Sequence, residues 1–127
     1  MRRLIALCTI AAMLAITAVA FAVNPKKGGT YTGTKTGGAI EKRLSLKVAS
    51  NGKTAIANLY CAGKHVSTMK GVAIAKGKFT GLKGKPSFPI WKLSGKFTSS
   101  TTAKATAKLT AICDGGRAII TLTLATG

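Results

Sequence analysis

Residues 94–113, SGKFTSSTTAKATAKLTAIC, support two readings that lead to different proteins. As composition, TTAKATAKLTA is the lysine/alanine tail of a nucleic-acid-binding chain. As a pattern it alternates: Ala103, Ala105, Ala107, Leu109 and Ala111 fall on one side, Lys104, Thr106, Lys108 and Thr110 on the other. Alternation of this kind marks a half-buried strand, because successive side chains of an extended backbone point to opposite faces. Helix is the rival, since alanine and lysine are good helix formers and Lys104 and Lys108 stand four apart. The threonines at 98, 101, 102, 106 and 110 oppose it, because branching at Cβ restricts χ1 in a helix. The next residues decide between them. Cys113-Asp114-Gly115-Gly116-Arg117 is a turn signal, and Ala118-IITLTLA alternates again, Ile120, Leu122 and Leu124 against Thr121 and Thr123. The stretch is a strand of a terminal hairpin, with Lys104 and Lys108 on the solvent face, where lysine also discourages pairing with other chains. The charge-free Ala118–Ala125 segment must then be central or covered.

The same period runs upstream. In Glu41-KRLSLKVA, Leu44, Leu46 and Val48 share a face opposite Arg43, Ser45 and Lys47; Asn51-Gly52 follows as a hairpin turn, and Thr54-AIANLYC is the return strand. Shorter candidates recur between glycines: Lys64-HVSTMK, Val72-AIA, Gly77-KFTGL and Phe88 to Phe97. Pro86 and Pro89 place the start of the last at an edge or a bend. GKFT occurs at both 77–80 and 95–98, which marks Phe79 and Phe97 as inward anchors. About eight short strands, without a helix signal past the leader, predict an all-β antiparallel sandwich or small barrel.

Residues 1–22, MRRLIALCTIAAMLAITAVAFA, read as a signal peptide helix: Arg2 and Arg3, an apolar run, and small residues at an A-x-A site. A retained anchor is the alternative, as the run from Leu4 to Val23 is nearly long enough to span a bilayer. The expected organisation is signal peptide 1–22, linker 23–28 and β-domain 29–127, the mature chain carrying no transmembrane segment and being secreted or associated with the cell envelope. Two cysteines remain, and in an exported chain Cys61 and Cys113 are most simply a disulfide. A metal site drawing on Cys61, His65 and Cys113-Asp114 is the rival, weakened by the lack of a C-x-x-C pair.

Loss of Arg2 and Arg3 leaves sixteen lysines and two arginines against Glu41 and Asp114, a formal +16. Catalysis is not expected. There is one histidine, Asp114 belongs to an Asp-Gly turn, and Glu41 sits beside Lys42 and Arg43. A small hydrolase would have to assemble His65 with Glu41 or Asp114, and no G-x-S-x-G elbow supports it. Thr32–Gly38, TGTKTGG, lacks the strand-to-helix context of a phosphate loop. No cofactor or metal is expected. The charge therefore carries the functional reading. Lysine far exceeds arginine and exposed stacking aromatics are few, which opposes specific nucleic-acid recognition and favours diffuse attraction to polyanions. Outside a cell these are teichoic acid, acidic polysaccharide, an anionic lipid surface or extracellular DNA. Candidate contacts are Arg43, Lys47, Lys104 and Lys108. The competing function is a structural or interaction module docking by a sheet edge or by a patch around Trp91.

Gly29-TYTGT, Leu93-SGKFTSSTTAKA and one cysteine before the end of each half resemble small exported bacterial β-proteins of unknown function, of the type found in actinobacteria. The resemblance covers most of the chain past residue 22. It implies export and a β-sandwich, and brings no catalytic residues. Lys104-Ala105 departs from it, since that group carries glycine there.

Overall fold

The computed structural model describes residues 23–36, 40–110 and 112–126; the expected signal peptide lies outside them. Eight strands follow in order: β1 (Thr30–Lys35), β2 (Lys42–Val48), β3 (Thr54–Cys61), β4 (Lys64–Ala75), β5 (Lys78–Lys85), β6 (Phe88–Phe97), β7 (Thr102–Leu109) and β8 (Gly116–Thr126). Each pairs antiparallel with its neighbour in sequence, and β8 returns to β1, closing one sheet into an up-and-down barrel. The sandwich alternative is thereby corrected. The residues 103–109 that open the terminal hairpin are β7, and the charge-free 118–125 segment lies in β8, paired to β7 along 118–123 and to β1 only at Thr123 and Leu124.

Closure follows from hairpin connections that keep every strand beside its predecessor, and from devices that bend the sheet. Bulges interrupt the β1–β8, β3–β4 and β5–β6 ladders, adding the curvature that a closed sheet needs. One of them, at Gly71 (φ 74°), joins the two expected strands 64–70 and 72–75 into the single β4. Pro89 sits at another, opposite Gly84, so the prolines mark a bend; β6 is paired on both sides from Trp91 to Phe97, while its start at Phe88 and Pro89 has rungs to β5 alone. The turn at Ser50-Asn51-Gly52 differs from a two-residue turn with both residues at positive φ. Gly52 alone is left-handed, its N–H donates to the Ala49 carbonyl, and Asn51 Oδ1 accepts from the Lys53 N–H. Two other turns, Ala62-Gly63 and Lys76-Gly77, do have both residues left-handed.

Inward positions fill the barrel. Leu44, Leu46, Leu59, Met69, Val72, Leu93, Ile120 and Leu122 are buried with Tyr31, Phe79 and Trp91. Alanine at 103, 105 and 107 in β7 leaves room for the large rings contributed by β6 and β1. The two GKFT copies meet: Lys78 faces Lys96, Phe79 faces Gly95, and the Phe97 N–H donates to the Gly77 carbonyl. Both phenylalanines turn inward, and Phe97 packs 5.2 Å from each of Tyr31 and Phe79, centroid to centroid. Gly95 is required there, because a Cβ would collide with the Phe79 ring and the Lys104 carbonyl.

The two ends are closed differently. At one, Val23 packs on the core, Pro25 is buried, and the Tyr31 hydroxyl accepts from the Lys26 N–H while donating to the Ser100 carbonyl. The stretch 23–28 thus lies against the barrel as it leads into β1. At the other end the disulfide Cys61–Cys113 ties the end of β3 to the β7–β8 loop, across the mouth from one wall to the opposite one. Ile40, Ile90 and Ile112 are partly buried against the core. Two seams are short. β4 and β5 share only the rungs Ala73–Thr80, Ile74–Phe79 and Ala75–Lys78, so Gly81–Lys85 is paired on the β6 side alone; β1 and β8 share only Thr30–Thr126, Tyr31–Leu124 and Thr32–Thr123, so Gly116–Leu122 is paired on the β7 side alone. The Trp91 indole N–H bridges the β4–β5 seam from inside, donating to Ser67 Oγ at 2.9 Å.

Candidate cationic surface

In a closed barrel the outward residues of adjacent strands fall into rows, about 4.8 Å apart across strands and about 7 Å apart along them. Register makes the rows explicit on the wall formed by β5 to β8. One row is Lys78–Lys96–Lys104–Thr121, the next Thr80–Ser94–Thr106–Ile119, the third Leu82–Lys92–Lys108–Arg117. Two cationic rows therefore flank a row of hydroxyls. Two shallow adjoining depressions lie along it, of about 390 Å³ over Thr80, Ser94, Lys92 and Lys108, and about 260 Å³ over Lys78, Lys96 and Lys104, sharing Thr106. The lysines of both rows are exposed. Outward positions of β5, β6 and β7 carry no carboxylate: Glu41 and Asp114 belong to the β1–β2 and β7–β8 loops at the disulfide end.

Such a wall concentrates anions. Like charges directly opposite one another on neighbouring strands disfavour the sheet, and an anionic partner reverses the sign of that interaction. The adjacent β1 wall is different in kind, presenting Thr30, Thr32 and Thr34 outward beside Thr123 of β8. Six of the eighteen cationic residues past residue 22 thus stand in two contiguous rows.

Of the four cationic residues singled out from the sequence, Lys104 and Lys108 stand in the two rows, one in each. Arg43 and Lys47 lie on a separate wall, on β2. The Arg43 guanidinium stacks 4.2 Å over the Tyr60 ring, and Tyr60 meets His65 edge-on at 5.4 Å. Lys47 borders an apolar notch of about 550 Å³ with Ile56, Lys70 and Gly71. Lys78, Lys92, Lys96 and Arg117 were missed. Period-two placement puts all of them outward, but only the strand register shows that they share rows. Trp91, expected as a docking aromatic, is a correction: it is fully buried inside the barrel and offers no surface. Docking by a sheet edge is likewise narrowed to the short β4–β5 and β1–β8 seams, at the first of which a bulge and Lys83 and Lys85 obstruct pairing.

The chemistry around His65 is modest. Its Nε2 lies 2.8 Å from Thr68 Oγ1, and that hydroxyl donates to Asn58 Oδ1 at 2.6 Å. With the threonine hydrogen used on Asn58, Nε2 carries the hydrogen of this pair, so the imidazole is not a base toward Thr68. The thiolates of the rival metal site are consumed in the disulfide, and among the described residues no cluster of three metal-ligating side chains occurs. Among the described residues no helix is long and apolar enough to cross a membrane. The barrel's apolar interior and lysine/threonine exterior invert the pattern of a membrane-spanning barrel. Comparison with protein-family models, curated proteins and solved structures finds no match.

Proposed function

We propose that the chain is an exported, non-catalytic barrel that binds anionic polymers of the cell envelope or matrix electrostatically through the β5–β8 wall. One observation carries the reading: Lys78, Lys96 and Lys104 stand side by side across three strands, and so do Lys92, Lys108 and Arg117. Solubility alone calls for dispersed charge, whereas contiguous rows suit an extended polyanion lying across the strands. Hydroxyls at Thr80, Ser94 and Thr106 supply hydrogen-bond partners for phosphate, sulfate or carboxylate oxygens between the rows. Lysine in place of arginine makes the contact charge-driven and tolerant of sequence.

The test separates position from net charge. Lys92, Lys96, Lys104 and Lys108 are changed to Gln in one variant, and Lys26, Lys47, Lys53 and Lys70 in a second of equal charge. On immobilised heparin the first elutes at clearly lower salt, and its log-affinity against log-salt slope falls by about one for each lysine that contacts the polymer. The second elutes close to wild type. Equal behaviour of the two variants would leave only bulk charge and defeat the proposal.

A further inference from the structure

The β5–β6 hairpin overhangs the barrel. β4 stops pairing with β5 at Ala73–Thr80, and β7 stops pairing with β6 at Trp91–Leu109, followed only by the Thr110 N–H to Ile90 carbonyl bond. Beyond these rungs β5 and β6 hold only each other, through Lys83–Trp91, Gly84–Pro89 and Lys85–Phe88. At the tip, Lys83, Gly84, Lys85, Pro86 and Ser87 are all exposed, and Phe88 is 75% exposed. No other large apolar side chain among the described residues is left so open; Ile119, the next, is 48% exposed. Packing does not call for a phenylalanine there. Pro86 and Pro89 on either side stiffen the backbone that presents it. The nearest outward row below the tip is Leu82–Lys92–Lys108–Arg117.

An apolar ring at a projecting tip, with ammonium groups around and behind it, matches the two layers of a charged bilayer surface. The ring enters the boundary between head groups and acyl chains, and the lysines remain at the level of the phosphates. We infer that, among the anionic partners open to the cationic wall, the one this chain recognises is an anionic lipid surface, with Phe88 as the inserting residue. This rests on the proposed function and narrows it. Single-stranded nucleic acid stacking on the ring is the competing occupant. It is disfavoured because such binders use a succession of stacking rings along a groove, whereas Phe88 stands alone on a convex tip, Tyr60 is covered by Arg43, and Tyr31 and Trp91 are buried.

Sedimentation with phosphatidylcholine vesicles, with and without one third phosphatidylglycerol, reads the partition directly. Wild type binds the anionic vesicles and not the neutral ones. Phe88→Ser lowers that partition by roughly tenfold, with thermal stability and heparin elution unchanged because the side chain is 75% exposed and belongs to neither the core cluster nor the rows. Phe88→Trp places an emitter at the tip, and its fluorescence shifts to the blue with anionic vesicles and is quenched by brominated acyl chains. Unchanged partition of Phe88→Ser, or an emission indifferent to vesicles, overturns the inference. Quenching of the Phe88→Trp emission by a single-stranded oligonucleotide, without a vesicle response, overturns it in favour of base stacking. Retention on heparin with no vesicle binding defeats this inference alone, while failure on both supports takes the proposed function with it.

Discussion

Removing the disulfide is the sharpest test of how the barrel mouth is held. Cys61 and Cys113 are separated by 52 residues, and on the chain-entropy model a loop of that length stabilises the folded state by about 4 kcal/mol. The loop it holds is not relaxed. Cys113, Asp114, Gly115 and Gly116 all have positive φ, 55° to 87°, a short left-handed turn that glycine and aspartate accept and cysteine does not. The cost at Cys113 is about 1 kcal/mol and is relieved when the strap is cut, so the net loss is about 3 kcal/mol. Unfolding entropies near 2.1 cal/mol/K per residue then put the midpoint of the Cys61→Ala/Cys113→Ala protein about 15 °C lower for a domain of roughly a hundred ordered residues. Calorimetry of the double variant and of each single variant measures it. Because either single change breaks the same bond, the three should agree within about 0.5 kcal/mol. A drop below 5 °C, or singles that add up in the double, would refute the strap as the stabilising element. Wild type should show both described cysteines protected from alkylation unless reduced.

Other perturbations probe the walls and the interior. Gly95→Ala should lose about 3 kcal/mol in denaturant unfolding, since the new methyl meets the Phe79 ring and a backbone carbonyl that cannot yield. Ser67→Ala strands the buried indole N–H of Trp91 and should cost about 2 kcal/mol; with Trp91→Phe already present the same change should cost much less, a coupling that a double-mutant cycle reads out. Ala62→Asn should raise stability by about 0.5 kcal/mol, because Ala62 has φ 53° in a tight turn and asparagine tolerates that region better. Amide hydrogen exchange should be fast in Gly81–Lys85 beside the three-rung β4–β5 seam, and at least a hundredfold slower in β7, which is paired along both sides.

Strand identity was legible because each decision was local. Ala103 to Leu109 alternates without exception and Ala118 to Leu124 with Ile119 as the one departure, and the inward anchors Phe79 and Phe97 follow from the repeated GKFT. Cys61 and Cys113 could be paired by elimination. Closure was not legible, because it depends on how far each hairpin twists, and the bulge at Gly71 reads in sequence as a break between two strands, not as a bend within one. Trp91 was misplaced for a related reason. Its parity with Leu93 and Phe97 places it inside, but the hydroxyl of Ser67 that makes an indole tolerable there lies 24 residues away.

Closure also changes what the lysines mean. In an open sheet, Lys104 and Lys108 are explained as edge protection, since charge on an exposed strand discourages pairing with a second chain. β7 has no edge: it is paired to β6 along one side and to β8 along the other. The protective reason survives for Lys83 and Lys85 at the β4–β5 seam and for Arg117, which pairs with β7 alone. It cannot account for Lys78, Lys92, Lys96, Lys104 and Lys108, which stand on strands paired to both sides and opposite one another or Arg117, where β-sheet stability favours neutral or opposite-charge partners. Alternation required these positions to be polar, and threonine, as on β1, would have met that requirement without repulsion. Replacing Lys96 and Lys104 by Thr should therefore leave the barrel as stable or more so at low salt while weakening its hold on polyanions. A loss of stability with unchanged heparin elution would show that the rows serve the fold.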